Sequence, residues 1–449
     1  MVRGFLSGAR HSGSVILSCV AGVALSASAE EYPIGCWTFM KQEEARPVEA
    51  VVKDWKDLGL THPMSPEFGL KSDKTTMRRM LDLCAKEGLN LIVHDMRVDL
   101  VSATRTDIVK NDAGYRRLVA EAKADWASHP AFAGFHFCDE PRKEQFARVF
   151  AATRIVQEMV PGKMCFLNLL PWYDWIGKIV GATDHASYLD ALARGTGLRM
   201  MSYDLYDHMS EDSGETKGQS VYFENLRGWM EWTKREPGRS FWVTQLCESH
   251  SSRVVHSQDD FRWQISTAAA MGAKGIIWYY PEQVRMSWNN RHLPINAFGE
   301  RTENFNWMSW ENRAFRHQFG SEFMRLEIEE PWLVNATGGG VKAFAGDRDI
   351  VSAETYGKKQ PVLISFFHDA DGVRYAAVVL LERRKTAHLT LGLADGVTAA
   401  SRKWNGEYEP VAAQADPVLA QRHASPGMRK CGIDFAPGQL VLLKLTRRP

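Results

Sequence analysis

Phe135-His136-Phe137-Cys138-Asp139-Glu140-Pro141 is an apolar run that stops abruptly at two adjacent carboxylates and a proline. Strands of parallel sheets read as continuous apolar segments, and proline cannot continue a hydrogen-bonded ladder. Asp139 and Glu140 are therefore expected at the carboxyl end of a strand. In a (β/α)8 barrel that end is where active sites are built. A carboxylic acid held there among apolar neighbours has its pKa raised, which is what protonation of a leaving oxygen requires. The pair thus implies an acid-catalysed hydrolase, provided the rest of the chain builds a barrel around it.

The elements needed for a barrel are present in order. Strand-like runs fall at Ile34–Phe39, Gly59–His62, Asn90–His94, Phe132–Cys138, Met164–Leu169, Arg199–Asp204, Phe241–Cys247 and Gly275–Tyr280. Amphipathic patterns lie between them, as at Thr75–Lys86, Tyr115–Trp126, Gln145–Met159, Tyr222–Lys234 and Phe261–Met271, with a last helix from about Asn312 to Glu327. Gly and Pro punctuate the joins, as in Pro161-Gly162 and Glu236-Pro237-Gly238. No Gly-rich phosphate loop follows the first strand, which disfavours a dinucleotide-binding open sheet. After Pro331-Trp332 helical periodicity stops. Short β runs follow at Val341–Phe344, Val362–Phe367, Tyr375–Leu381, His388–Leu391 and Leu440–Leu445. The expected fold is α/β: a (β/α)8 TIM barrel over 30–331, then a small C-terminal antiparallel β-sandwich over 332–449.

Strand ends nominate the lining of the barrel mouth. They supply His62, His94, Asp95, Arg97, Asn168, Trp172, Asp204, Tyr280 and Glu282 as substrate contacts or their supports. The seventh strand offers Gln245 inside it and Glu248 at its end. Trp172, Trp175, Trp242, Trp278 and Trp288 are candidate platforms for the C–H faces of sugars, although core packing explains a tryptophan equally well. His94-Asp95 is not a His-x-His metal signature and no other metal spacing stands out, so neither metal nor cofactor is expected.

The barrel order, Glu140-Pro141 on strand four and Trp278 on strand eight resemble the clan A glycoside hydrolases. In that family a general acid/base Glu ends strand four, usually as Asn-Glu-Pro, and a nucleophilic Glu ends strand seven. The resemblance implies a carbohydrate substrate, Glu140 as acid/base and Glu248 as nucleophile, with retention of configuration. Asp139 stands where the family has Asn, and Asp139-Glu140 also resembles the β-hexosaminidases that use substrate assistance. There the Glu protonates the leaving group and the Asp orients the 2-acetamido group that attacks the anomeric carbon, helped by a tyrosine. Tyr203 or Tyr206 would take that part here. Two further readings stay open: a catalytically inactive carbohydrate-binding barrel, for which Gln245 on the seventh strand is the support, and a metal-dependent hydrolase.

Composition agrees with an ordinary folded chain of 449 residues, 45% hydrophobic, with a formal net charge of +1 that argues against nucleic acid as a partner. Arg3 and Arg10 precede the apolar run Val15–Leu25, and Ala27-Ser28-Ala29 follows. This is the pattern of a secretory signal over 1–29, giving a secreted or periplasmic protein with its mature start at Glu30 and no transmembrane segment. A rival reading takes Ile16-Leu17-Ser18-Cys19 as a loose lipobox with Cys19 carrying lipid, but the apolar run continues past Cys19. The six remaining cysteines have no zinc-type spacing and read as small buried thiols, with one strand-to-strand disulfide as the alternative.

Overall fold

The computed structural model describes residues 31–100, 112–210, 215–411 and 429–448. The expected leader, including Cys19, lies outside the described residues. Eight barrel strands form: Ile34–Cys36, His62–Pro63, Leu91–Val93, Phe132–Asp139, Met164–Leu169, Met200–Asp204, Ser240–Leu246 and Ile276–Tyr279. They pair in the order 2-1-8-7-6-5-4-3 and every pair is parallel. Strands two and three are joined by the isolated bridges Met64–Ile92 and Phe68–Asp95, which bring the barrel close to complete closure. The lumen is filled by Trp37, Met64, Ile92, Phe166, Trp242 and Ile277.

Helices follow each strand in turn: Val48–Asp57, Lys74–Glu87, Asp112–Trp126, Phe146–Met159, His185–Thr196, Glu215–Lys234, Gln258–Ala270 and Glu303–Phe315. The second strand begins three residues later than its sequence suggests. Gly59 adopts a φ of 75° just past the first helix, a left-handed geometry that stops that helix and delays the extended run. His62 consequently opens its strand instead of ending it, and its ring packs edge-on against Trp242 inside the barrel at 5.6 Å. The last helix starts at Glu303, earlier than expected, and runs through a π turn at Arg316–Gly320 into Ser321–Arg325.

Glu327–Val334 then opens a seven-stranded sheet, so Pro331 lies inside a strand. A three-stranded sheet covers one face of this sheet, and the two together enclose Ile350, Ile364, Phe366, Val378, Leu391 and Phe435. The opposite face of the larger sheet joins the barrel core through Leu363, Phe367, Ala377, Val379 and Leu442. Its central strands are thus buried on both sides, which is why Val362–His368 and Arg374–Leu380 read as unbroken apolar runs. Helix Gln258–Ala270 lies between barrel and sheet and is buried from Asp260 to Ala270 apart from Arg262. Trp263 on this helix donates from Nε1 to the Leu381 carbonyl at 3.0 Å, and Asp260 receives the guanidinium groups of Arg383 and Arg384. All six cysteines from Cys36 onward are buried and in no disulfide.

Because Trp263 fills the join completely, Trp263→Ala is expected to destabilise the protein by about 3–5 kcal/mol. Chemical denaturation should show barrel and sandwich losing stability together. A loss below about 1 kcal/mol would mean that the two layers do not depend on this contact.

Candidate active site

At the end of the fourth strand the backbone does something unusual. A bulge after His136 shifts the register against the fifth strand, and Glu140 takes a φ of 44°. On an ideal strand Asp139 and Glu140 would point to opposite faces. The bulge and the left-handed residue turn the chain so that both carboxyls reach the mouth, and the Glu140 N–H is fixed on the Asn168 carbonyl at 3.0 Å. A non-glycine residue held in this conformation is strained, and such strain concentrates at functional positions.

Asn168 on strand five bridges its neighbours. Its Nδ2 donates to Asp139 Oδ1 and to Asp204 Oδ1, both at 3.0 Å. The carboxyls of Glu140 and Asp204 are close enough to perturb each other's ionisation. Burial, with the charge of Asp204 added, lifts Asp139 to about 7 against the pull of Asn168. Burial and the Glu140 charge lift Asp204 to about 7. Glu140 is the exposed member of the trio, yet partial burial at the mouth and the Asp139 charge raise it to about 7 as well. Carboxyls this close cannot all ionise near neutrality, so the cluster retains a proton there.

Glu248 follows the seventh strand and is fully buried. Asn290 Nδ2 donates to its Oε1 at 2.6 Å and touches His250 Nδ1 at 3.0 Å, while Oε2 has no partner among the described residues. Burial raises Glu248 to about 9, opposed only by Asn290, so it is neutral at pH 7. Tyr279 stands between the two groups of acids. Its ring lies 5.3 Å from Tyr206, 5.6 Å from His250, 5.0 Å from Tyr280 and 5.6 Å from Phe39. Burial and the nearby Asp204 push the Tyr206 phenol well up, keeping it a neutral donor.

Several expected contacts lie elsewhere because strand alternation turns them outward. Gln245 faces the helix layer and donates to the Tyr222 hydroxyl at 2.8 Å, so it says nothing about a missing nucleophile. Tyr203 stacks on Trp229 at 5.2 Å in the same layer. Trp278 is fully buried and donates from Nε1 to Asn312 at 2.9 Å. None of these three can reach a substrate. Trp172 is buried against His185, and Trp242 is in the lumen packing. Arg97 is spent on Asp95 and Asp125, and Glu282 on Arg46, so both hold loops in place. His94 bonds Asp99 at 2.9 Å at the edge of the lumen, and Tyr280 is buried against Phe39. The structure therefore brings together Asp139, Glu140, Asn168 and Asp204, with Glu248 beyond Tyr279. Sequence reasoning missed Asn290, His250 and Tyr279. Tyr279 could have been found by counting alternation from Ile277, but Asn290 meets Glu248 across 42 residues and carries no local signal.

No family model and no curated protein matches this sequence. Among solved structures, a glycoside hydrolase family 5 protein from Bacteroides vulgatus aligns with a TM-score of 0.54 at 11% identity, covering 93% of this chain and 89% of that one. Another structure, described as a glycoside hydrolase, aligns with a TM-score of 0.53 at 9% identity over 93% of this chain and 92% of its own. A β-galactosidase from Rahnella sp. R3 gives 0.53 at 10% identity over 68% of this chain, but the chain spans only 58% of that protein's length, and 62% of that of the β-galactosidase from Marinomonas ef1. The shared feature is the fold, a (β/α)8 barrel.

Neutral burial of Glu248 has a measurable consequence. A carboxyl raised to about 9 in the folded state stabilises the fold fully below its unfolded pKa of about 4.3 and loses that contribution as pH rises toward 9. Glu248→Gln has no proton to lose. Its melting temperature relative to wild type should climb steadily from pH 5 to pH 9, by an amount equivalent to about 1 kcal/mol or more. A constant offset across that range would show Glu248 to be ionised throughout.

Proposed function

We propose that this chain hydrolyses glycosidic bonds at the barrel mouth, with Glu140 donating the proton to the leaving oxygen. The observation that carries this reading is the Asp139–Glu140–Asp204 cluster tied by Asn168, in which a carboxyl stays protonated near neutral pH. The fold of the solved glycoside hydrolases supports it, as do flat apolar faces around the mouth. Phe39 is 54% exposed, Trp175 61% and Trp288 87%, in loops after strands one, five and eight. Such faces suit the C–H surfaces of a sugar chain.

For the attack on the anomeric carbon, the geometry favours the substrate's own 2-acetamido group. Its carbonyl oxygen bonds to C1 as the C1–O bond breaks and Glu140 delivers its proton. Asp139, oriented by Asn168, accepts the acetamido N–H, and Tyr206 donates to the acetamido oxygen. Water then opens the ring intermediate at C1 and returns a proton to Glu140, with net retention.

A second reading keeps Glu248 as a nucleophile. Its position just past strand seven, beside Asn290 and the Tyr279–Tyr280 wall, favours it. It must then lose its proton when substrate binds.

Glu140→Gln should lower kcat by about 100-fold or more while sugar binding persists, because the amide keeps size and hydrogen bonding but has no proton to give. Near-normal turnover of a substrate with an ordinary sugar leaving group would remove Glu140 from the role. Absence of any turnover by wild type, with sugar binding intact, would point to the non-catalytic barrel. The two attack routes separate on Asp139→Ala and Glu248→Ala. Substrate assistance predicts a severe loss for Asp139→Ala and activity confined to 2-acetamido sugars. A Glu248 nucleophile predicts a severe loss for Glu248→Ala that azide partly restores.

We also propose export, on the leader pattern of residues 1–29. N-terminal sequencing of the secreted or periplasmic protein should begin at Glu30, whereas a start at Cys19 or an intact leader on cytoplasmic protein would contradict it.

A further inference from the structure

Beneath the carboxylate cluster lies a second group of polar side chains that the proposed hydrolysis does not use. His136 points into the lumen between Trp37, at 5.1 Å, and His94, at 4.6 Å between ring centres. It is 1% exposed, and neither ring nitrogen has a hydrogen-bond partner among the described residues. His94 Nδ1 is likewise buried without a partner among the described residues, and its Nε2 meets Asp99 Oδ2 at 2.9 Å. Asp99 Oδ1 lies 3.9 Å from His136 Nδ1. One ligand atom from each of the three residues falls within 4.8 Å of the others.

An unbonded imidazole sealed in a protein core forfeits hydrogen bonds it would make in water, at a cost of about 1–3 kcal/mol. Two imidazoles and one carboxylate facing one another form a donor set suited to a borderline divalent ion. The scaffold also aims Asp99 at this point. Asp95 is locked by Arg97 and by Trp126 Nε1 at 2.8 Å, the Tyr115 hydroxyl holds the Val98 carbonyl at 2.7 Å, and the Leu100 N–H bonds Phe137 on strand four. The loop that carries Asp99 is thus pinned on both sides of it.

We propose that His94, Asp99 and His136 form a binding site for one zinc-class divalent cation in the floor of the barrel mouth. A tetrahedral zinc with bonds of about 2.0 Å sets its ligand atoms ~3.3 Å apart, and the three ligand atoms here lie within 4.8 Å of one another, so the set must close by up to about 1.5 Å around the ion. Binding at His94 Nε2 displaces the proton there, which moves to Nδ1 as the ring changes tautomer, so no net proton is lost. Tetrahedral geometry calls for a fourth ligand beyond these three residues. His136 precedes Asp139 by three residues on the same strand, which places the ion under the reacting groups.

Co2+ added to chelator-treated full-length protein tests this directly. Wild type should develop a visible d–d absorption band that saturates at one ion per chain and is displaced by Zn2+. Since loss of even an indirect support of a metal ligand weakens binding by about 10–100-fold, His136→Ala and His94→Ala should each weaken it by at least about 100-fold. Zn2+ should also raise the melting temperature of wild type and not of these variants. A wild type without the band or without stoichiometric uptake overturns the site, even if a variant fails to fold. So does a band of equal strength in either folded variant.

Discussion

The side-chain amide of Asn168 is the fixed point on which the mouth of this barrel depends. It offers two N–H bonds, and both go to carboxylates, Asp139 on one side and Asp204 on the other. Without it the two acids and Glu140 would repel one another. With it they are held close enough that like-charge repulsion and partial burial keep a proton in the cluster near neutral pH. The same residue's carbonyl takes the Glu140 N–H and so fixes the left-handed turn that brings Glu140 to the mouth. One residue of the fifth strand thus sets the geometry and shapes the electrostatics of its neighbours.

The surrounding architecture explains why such a cluster is tolerated. Trp37, Phe166 and Trp242 pack the lumen below, and the carboxyl ends of the strands project the acids above that apolar layer. The seven-stranded sheet braces the outside through helix Gln258–Ala270, whose Trp263 and Asp260 are both bonded to the sandwich. Strain and repulsion at the mouth are borne by a body with a continuous core from barrel to sheet.

Much of this was legible in the sequence, for identifiable reasons. The abrupt change from Cys138 to Asp139-Glu140-Pro141 marks a strand end, and eight apolar runs at barrel spacing give the fold. What the sequence could not give was facing. The seventh and eighth strands are buried on both sides, so Gln245 and Trp278 carry no polar–apolar alternation to show that they point outward. Tyr203 was misjudged for the same reason, while Asp204 beside it points to the mouth. Helix Gln258–Ala270 is legible as Phe261–Met271 although most of it is buried, whereas helices Val48–Asp57 and His185–Thr196, both amphipathic, are not among the runs picked out from the sequence. The Glu248–Asn290 contact depends on a two-strand ribbon between distant loops, Ser249–His250 with Asn290–Arg291, and no local pattern encodes it.

The central claim is that the strand-four and strand-six carboxyls share a proton near neutrality, and carbon NMR of protein labelled at the Asp and Glu carboxyls measures this without any substrate. The account predicts resonances assigned to Asp139, Glu140 and Asp204, identified through Glu140→Gln and Asp204→Asn, that titrate together around pH 7. It also predicts that Glu140→Gln lowers the Asp204 midpoint and that Asp204→Asn lowers the Asp139 midpoint. Independent titration of all three, complete by about pH 5 as for ordinary carboxyls, would contradict it.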